Sequence, residues 1–265
     1  MPRMDEPVRL TDGTEVVTEV VRQGGVVRRG AGSWSPAVHA LLGHLERIGF
    51  DGAPRPVALE GASEVLTFIE GTCPSVPWEP WVFSDEVLAG VADLLRRYHA
   101  VVADFDPPRG ARWRRWVGAT GAGPIVCHAD LWPANVVCRA GVPVALIDFD
   151  FAQPGQPLDD VASAAKHWVP LVAAGRRAVD GWPEPGDEPR RLRLLCDEYG
   201  LDDADRRGLL SAVLAMNHRG YDSHRLWAAQ GVAGFVEMWA NGSGQRILDD
   251  RAWLLAQWDR LQAAL

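Results

Sequence analysis

Asp130, Asn135 and Asp148 carry the oxygen-rich chemistry available to this sequence. The first two close the run His128-Ala129-Asp130-Leu131-Trp132-Pro133-Ala134-Asn135, and Asp148 follows thirteen residues after Asn135 in Leu146-Ile147-Asp148-Phe149-Asp150. Phosphoryl transfer needs this inventory: hard oxygen ligands for magnesium, and a carboxylate that orients an acceptor hydroxyl and takes its proton. The spacing from Asp130 to Asn135 lets a loop turn back, so that the amide faces a metal while the carboxylate faces an acceptor. Singly, each residue is also explained as a turn former or a strand cap. Their joint spacing between apolar runs is what favours chemistry.

The elements around these residues follow from pattern. Ile125–Cys127 reads as a strand leading into the polar loop, and Val142–Leu146 as the return arm of a hairpin after Gly141, which brings Asp148 beside Asn135. Upstream, β-branched runs at Glu15–Val21, Gly25–Arg29 and Glu64–Ile69 predict a small sheet. Ser35-Pro36 opens a helix with Ser35 as N-cap, its apolar face marked by Val38, Leu41, Leu42, Leu45 and Ile48. Residues 72–80, rich in Pro, Ser and Thr, form an extended connector between residues 1–71 and 81–265. Helical periodicity dominates the latter, from Ser84–Ala103 to a closing amphipathic stretch at Leu248–Leu265, with an exposed loop at Gly175–Pro189.

Composition narrows the partners. A net charge of -8 argues against nucleic acid or an anionic membrane surface and fits a cationic small substrate. No apolar stretch approaches the roughly 20 residues of a membrane span. The four cysteines form no CxxC pair, and no basic and apolar leader opens the chain, so a reduced, cytoplasmic protein is expected, with Cys127 and Cys138 as buried free thiols. Among 27 basic residues only Lys166 is a lysine, and its position on a helix reads as surface.

The pattern His128-x-Asp130-x-x-x-x-Asn135 with Asp148-Phe149 resembles the catalytic loop and metal motif of protein-kinase-like folds. With Ile147-Asp148-Phe149-Asp150 and Pro157-Leu158-Asp159-Asp160-Val161-Ala162, it is similar to the aminoglycoside phosphotransferase and choline kinase branch, over about residues 15–165. The resemblance implies an α+β, bilobal protein-kinase-like fold with a small β-rich N-terminal lobe and a larger helical C-terminal lobe. It implies Asp130 as catalytic base, His128 as brace of the catalytic loop, and Asn135 and Asp148 as ligands of Mg. Asp160 would bond the loop backbone, with Asp159 as N-cap of the following helix. The implied substrates are ATP or GTP, its base bonded along the backbone of Thr67, Phe68, Ile69 and Glu70, and a small-molecule hydroxyl acceptor, with antibiotic resistance among the implied roles.

The phosphate side departs from that pattern. Where such folds carry a strand lysine paired with a helix glutamate, this chain offers Arg28 or Arg29, and Arg28 matches the position better. His39 falls where the helix glutamate belongs, Glu46 lies two turns further on, and Gly13 stands alone where a glycine-rich loop is usual. Acidic candidates for the acceptor wall are Asp197, Glu198, Asp202, Asp203, Asp222 and Glu237. Two rivals remain at this stage: a non-catalytic nucleotide binder, suggested by the missing lysine, and a haloacid-dehalogenase-type phosphatase with Asp148 as nucleophile, suggested by Ile147-Asp148-Phe149-Asp150.

Overall fold

The fold is that of a computed structural model, and it is described here for residues 7–10, 20–183 and 186–265. Gly13 and most of the expected Glu15–Val21 strand lie outside the described residues. In the N-terminal region, β1 (Val8–Arg9), β2 (Val21–Gln23), β3 (Val26–Gly30), β4 (Pro56–Glu60) and β5 (Ser63–Thr67) form an antiparallel sheet of order β1-β2-β3-β5-β4. Helix α1 (Ser35–Arg47) lies between β3 and β4 and buries Val38, Leu41, Leu42 and Leu45, while Ile48 just beyond it is exposed. The N-cap is Trp34, not Ser35; the Ser35 hydroxyl accepts from the Gly32 N–H at 3.0 Å.

The C-terminal region is mainly helical. Helix α2 (Asp85–Val102) begins at Ser84, whose hydroxyl accepts from the Val87 N–H, and buries Val87, Leu88, Val91, Leu94, Leu95, Tyr98 and Val102. That stripe recurs every three or four residues, which is why the helix was legible, and complete burial of one such side chain is worth about 1.5–3 kcal/mol. Two short ladders follow: β6 (Ile125–Cys127) pairs with β9 (Gln153–Gly155), and β7 (Val136–Arg139) pairs with β8 (Val142–Leu146). Beyond them run α3 (Pro157–Trp168), α4 (Ala174–Asp180), α5 (Glu188–Tyr199), α6 (Asp203–Ala229), α7 (Ala233–Ala240), α8 (Ser243–Ala256) and α9 (Trp258–Gln262).

Two expectations need correction here. The stretch read as an exposed loop contains α4, which buries Arg177 and Asp180; its few apolar positions gave no periodic signal. The closing stretch is two helices, broken at Gln257. Between the regions, Thr72 exchanges both backbone hydrogen bonds with Cys138 of β7 at 2.8 and 2.9 Å. A Cβ on Gly71 would sit 2.7 Å from the Cys138 carbonyl oxygen, so only glycine lets the chain pass this close. No helix among the described residues is long and apolar enough to cross a membrane.

Candidate active site

The loop that carries Asp130 starts where β6 ends and is fixed from behind by buried donors and acceptors. Asp160 on α3, with no exposed surface, accepts from the backbone N–H groups of His128 at 2.8 Å and Ala129 at 2.7 Å, and from His99 Nε2 at 2.9 Å. Ser163 Oγ accepts from the Leu131 N–H, the Trp168 indole donates to the Leu131 carbonyl, and the Trp116 indole donates to the Ala129 carbonyl. Held this way, Ala129 keeps a left-handed backbone at φ 62°, a conformation that costs a non-glycine residue about 1 kcal/mol and that surrounding contacts must enforce. His128 is fully buried, with Nε2 against the Ile147 carbonyl at 2.9 Å and its ring edge-on to Phe149; burial pushes its pKa down. It is a brace between the two motifs.

Asp130 and Asn135 meet as their spacing requires. Asn135 Nδ2 donates to Asp130 Oδ2 at 3.0 Å and to the Asp130 carbonyl at 3.0 Å. The Ile147 N–H donates to the Asn135 carbonyl at 2.9 Å, tying the loop to the end of β8 and bringing Asp148 alongside. Asp148 also has a left-handed backbone, at φ 61°. Burial, reinforced by Asp148 and Asp150, pushes the Asp130 carboxyl up to about 7 against the opposing bond from Asn135. Burial drives Asp150 up to about 6 as well, with Asp148 adding to it; at Asp148 burial pushes upward too, but the charge and hydrogen bond of Arg29, together with His128 and Arg114, hold the carboxyl low.

The arginine facing the site is Arg29, not Arg28. Arg29 donates through Nη1 to Asp148 and through Nη2 to Asp150, both at 2.7 Å, and through Nε to Glu64 at 2.6 Å. Arg28 points outward to the exposed Glu60 at 2.8 Å. Strand alternation demanded that one arginine face in, but Val26 and Val27 are both apolar, so the sequence left the parity open. The missing helix glutamate is supplied by the sheet: Glu64 on β5 is the cross-strand partner of Arg29, and its other oxygen lies 3.0 Å from His39 Nε2 on α1. Glu46, the other helix candidate, is exposed beside Arg55.

These groups lie in a cleft of about 1600 Å³ that runs from Val27, Leu66, Thr67, Phe68 and Ile69 on the sheet side, past Asp130 and Asp148, to α3, α6 and α8. At the sheet end, the Phe68 N–H is taken by the Gly25 carbonyl and the Glu70 carbonyl accepts from Arg139, while the Ile69 N–H has no partner among the described residues. Glu70 itself lies outside the cleft lining and turns its side chain to Arg22, while Gly71 just after it lines the cleft. None of the six acidic residues expected on the acceptor wall lines the cleft; Asp202, for example, caps α6. Asp159, Asp180, Asp249 and Asp250 line it instead.

Further residues of the site escaped sequence reading. Arg114 lies 3.8 Å from Asp150 and over the rings of Phe151 and Trp34, and Trp116 stacks on Phe151 at 4.3 Å. Lys166 is buried in the cleft wall rather than at the surface. Asp159 is not the N-cap of α3: Gln156 is, and Asp159 returns a bond to the Gln156 N–H and pairs with Arg219. Cys127 and Cys138 are buried and free.

Residues 103–195 match the Phosphotransferase enzyme family. Over 216 residues, 80% of each chain, the sequence is 37% identical to a trifolitoxin immunity protein of Rhizobium leguminosarum bv. trifolii. The fold is similar to that of an amicoumacin kinase in complex with AMP-PNP, Ca2+ and Ami, at TM-score 0.63 and 12% identity over 83% of this chain and 80% of that one. It is also similar to an ethanolamine kinase of Plasmodium vivax, at TM-score 0.62 and 12% identity over 97% and 83%. These folds are kinase-like, and Asp148 follows an antiparallel hairpin, β7–β8, which speaks against the haloacid-dehalogenase reading. The chain belongs to the phosphotransferase enzyme family.

Proposed function

We propose that the chain is a magnesium-dependent kinase that moves the γ-phosphoryl group of ATP or GTP onto a hydroxyl of a small molecule. The observation that carries this is the meeting of Asp130, Asn135 and Asp148 at the centre of one cleft, with apolar and backbone groups on the sheet side and a polar cavity on the other. The oxygen donors of Asn135 and Asp148 suit magnesium, and Asn135 spends its amide N–H on Asp130, leaving Oδ1 without a protein partner among the described residues. Bound there, magnesium would neutralise charge on the transferring phosphoryl group.

The chain's own residues do the rest. Asn135 orients the Asp130 carboxylate toward the acceptor side, and Asp130 accepts the hydroxyl proton as the hydroxyl oxygen bonds to the γ-phosphorus. The bond to the β-phosphate oxygen breaks and the nucleoside diphosphate leaves. A pKa near 7 keeps Asp130 basic enough to take that proton at neutral pH. Arg29, already between Asp148 and Asp150, is placed to contact phosphate oxygens in the role usually held by a lysine. The immunity named for the Rhizobium relative supports an acceptor that is an antibiotic or toxin, silenced by phosphorylation. Incubation with γ-labelled ATP or GTP, magnesium and a panel of amino sugars, choline-like alcohols and hydroxylated peptides tests the reading. A labelled phosphoester is expected, and absence of transfer to every class argues for a non-catalytic nucleotide binder.

A further inference from the structure

The far end of the cleft carries a charge pattern that phosphoryl transfer alone does not call for. Lys166, the sole lysine of the chain, faces this end from α3 and is 6% exposed. Its ammonium donates to Asn217 Oδ1 and lies 3.5 Å from Asp250 Oδ2. Asp250, with no exposed surface, is already engaged: Oδ1 accepts from the Ala173 N–H at 2.9 Å, and Oδ2 also faces Arg176 Nη1 at 3.4 Å. Lys166 and Arg176 thus share one carboxylate oxygen. Arg176 has Asp180 as a second partner at 3.4 Å; burial pushes the Asp180 carboxyl upward, and Arg176 opposes that push.

Burial lowers both His167 and His224, the latter to about 4, and Lys166 and Arg176 push both in the same direction. Asp159, Asp180 and Asp250 at this end each already meet a cation, and Asp249, the one acid of this lining with no ion-pair partner among the described residues, is exposed and accepts from Gln245 Nε2 at 2.9 Å. Asp159 is paired with Arg219 at 2.9 Å and with the Gln156 N–H at 3.0 Å, and both oxygens of Asp250 are taken. Asn217 and Asp250 occupy two of the three Lys166 donors, so an entering anion has one left to bind.

We propose that this end of the cleft selects a hydroxyl compound that bears a carboxylate or comparable anion, and that Lys166 is the specificity-determining residue that receives it. The inference rests on the kinase reading and names the class of acceptor for that same site. It departs from the cationic substrate that the net charge of -8 favoured, because the acidic surplus of the chain is not concentrated on this wall.

The test uses the purified full chain with magnesium, γ-labelled nucleotide and three matched acceptors: N-acetyl-serylphenylalanine with a free carboxylate, its neutral amide and its aminoethyl amide. A polycationic amino sugar is the fourth. The carboxylate form should show kcat/KM at least tenfold above the aminoethyl form, with no transfer to the amino sugar. Lys166→Met should erase that preference and Lys166→Arg should keep it, with melting temperatures recorded for both. Equal or better use of the amine or the amino sugar overturns the proposal, as does an unchanged order in Lys166→Met or no transfer to any compound. If Lys166→Met does not fold, the order of acceptors for the unsubstituted chain decides. Magnesium-dependent nucleotide hydrolysis, measured alongside and expected to vanish in Asp148→Asn, separates the two readings. Its absence from the unsubstituted chain counts against kinase activity, whereas its presence with the wrong acceptor order counts against the acceptor class alone.

Discussion

Arg29 Nη1 lies 2.7 Å from Asp148 Oδ1, so the sheet of the N-terminal region and the Asp148 segment that follows β8 are joined by one guanidinium. The same side chain reaches Asp150 and Glu64 and is 10% exposed, which makes it the counter-ion of three carboxylates. Removing one partner of such a cluster leaves charge buried without compensation. Arg29→Met should therefore destabilise the chain by about 3 kcal/mol, the scale expected for breaking a buried ion pair. It should also weaken nucleotide binding, whereas Arg28→Met, at an exposed pair, should leave both near their original values. Thermal melts and fluorescent-nucleotide titration check this pair; a stronger effect at Arg28 would reverse the assignment.

Asp130 gives a pH-dependent prediction. A carboxyl raised from 3.8 to about 7 in the folded state contributes stability that is fully present below 3.8 and is lost as pH rises through 7. Asp130→Asn should then melt higher than the unsubstituted chain at pH 8 in the absence of metal and nucleotide, and the gain should shrink at pH 5. Turnover should fall by roughly a hundredfold or more, the contribution of a positioned base. Melting curves at the two pH values provide the check, and an equal shift at both would remove the titration from the explanation.

Asp160 touches no substrate in this account, yet it fixes Ala129 and His128 and so the direction of Asp130. Replacing it by alanine strands two backbone N–H donors in the interior, at a cost of about 1–3 kcal/mol each. Asp160→Ala should lower both the melting temperature and kcat. Asp160→Asn, which keeps the shape but turns one acceptor oxygen into a donor, should lower kcat with a smaller loss of stability. A normal kcat in a folded Asp160→Ala chain would show that the loop holds its shape without the brace.

How much of this was visible beforehand depended on the kind of signal. Helix α2 and the run from Ile125 to Asp150 were legible because apolar period and motif spacing are local properties of the sequence. Arg28 was chosen over Arg29, wrongly, since two adjacent valines hide the parity of β3. Glu64 was overlooked because its partner comes from the neighbouring strand through register, and register is set by the whole sheet. Lys166 was misplaced because its burial depends on Asn217 and Asp250, which lie 51 and 84 residues further along the chain. Long-range pairing of polar groups leaves no periodic trace.

The central claim is that Asp130 takes the acceptor proton while Asp148 and Asn135 position the metal. A single-turnover measurement of labelled phosphate transfer with nucleotide prebound tests it most directly, comparing the unsubstituted chain with Asp130→Ala. The account predicts a fall in the transfer rate of roughly a hundredfold or more with nucleotide affinity unchanged. Transfer at an undiminished rate by Asp130→Ala would contradict it.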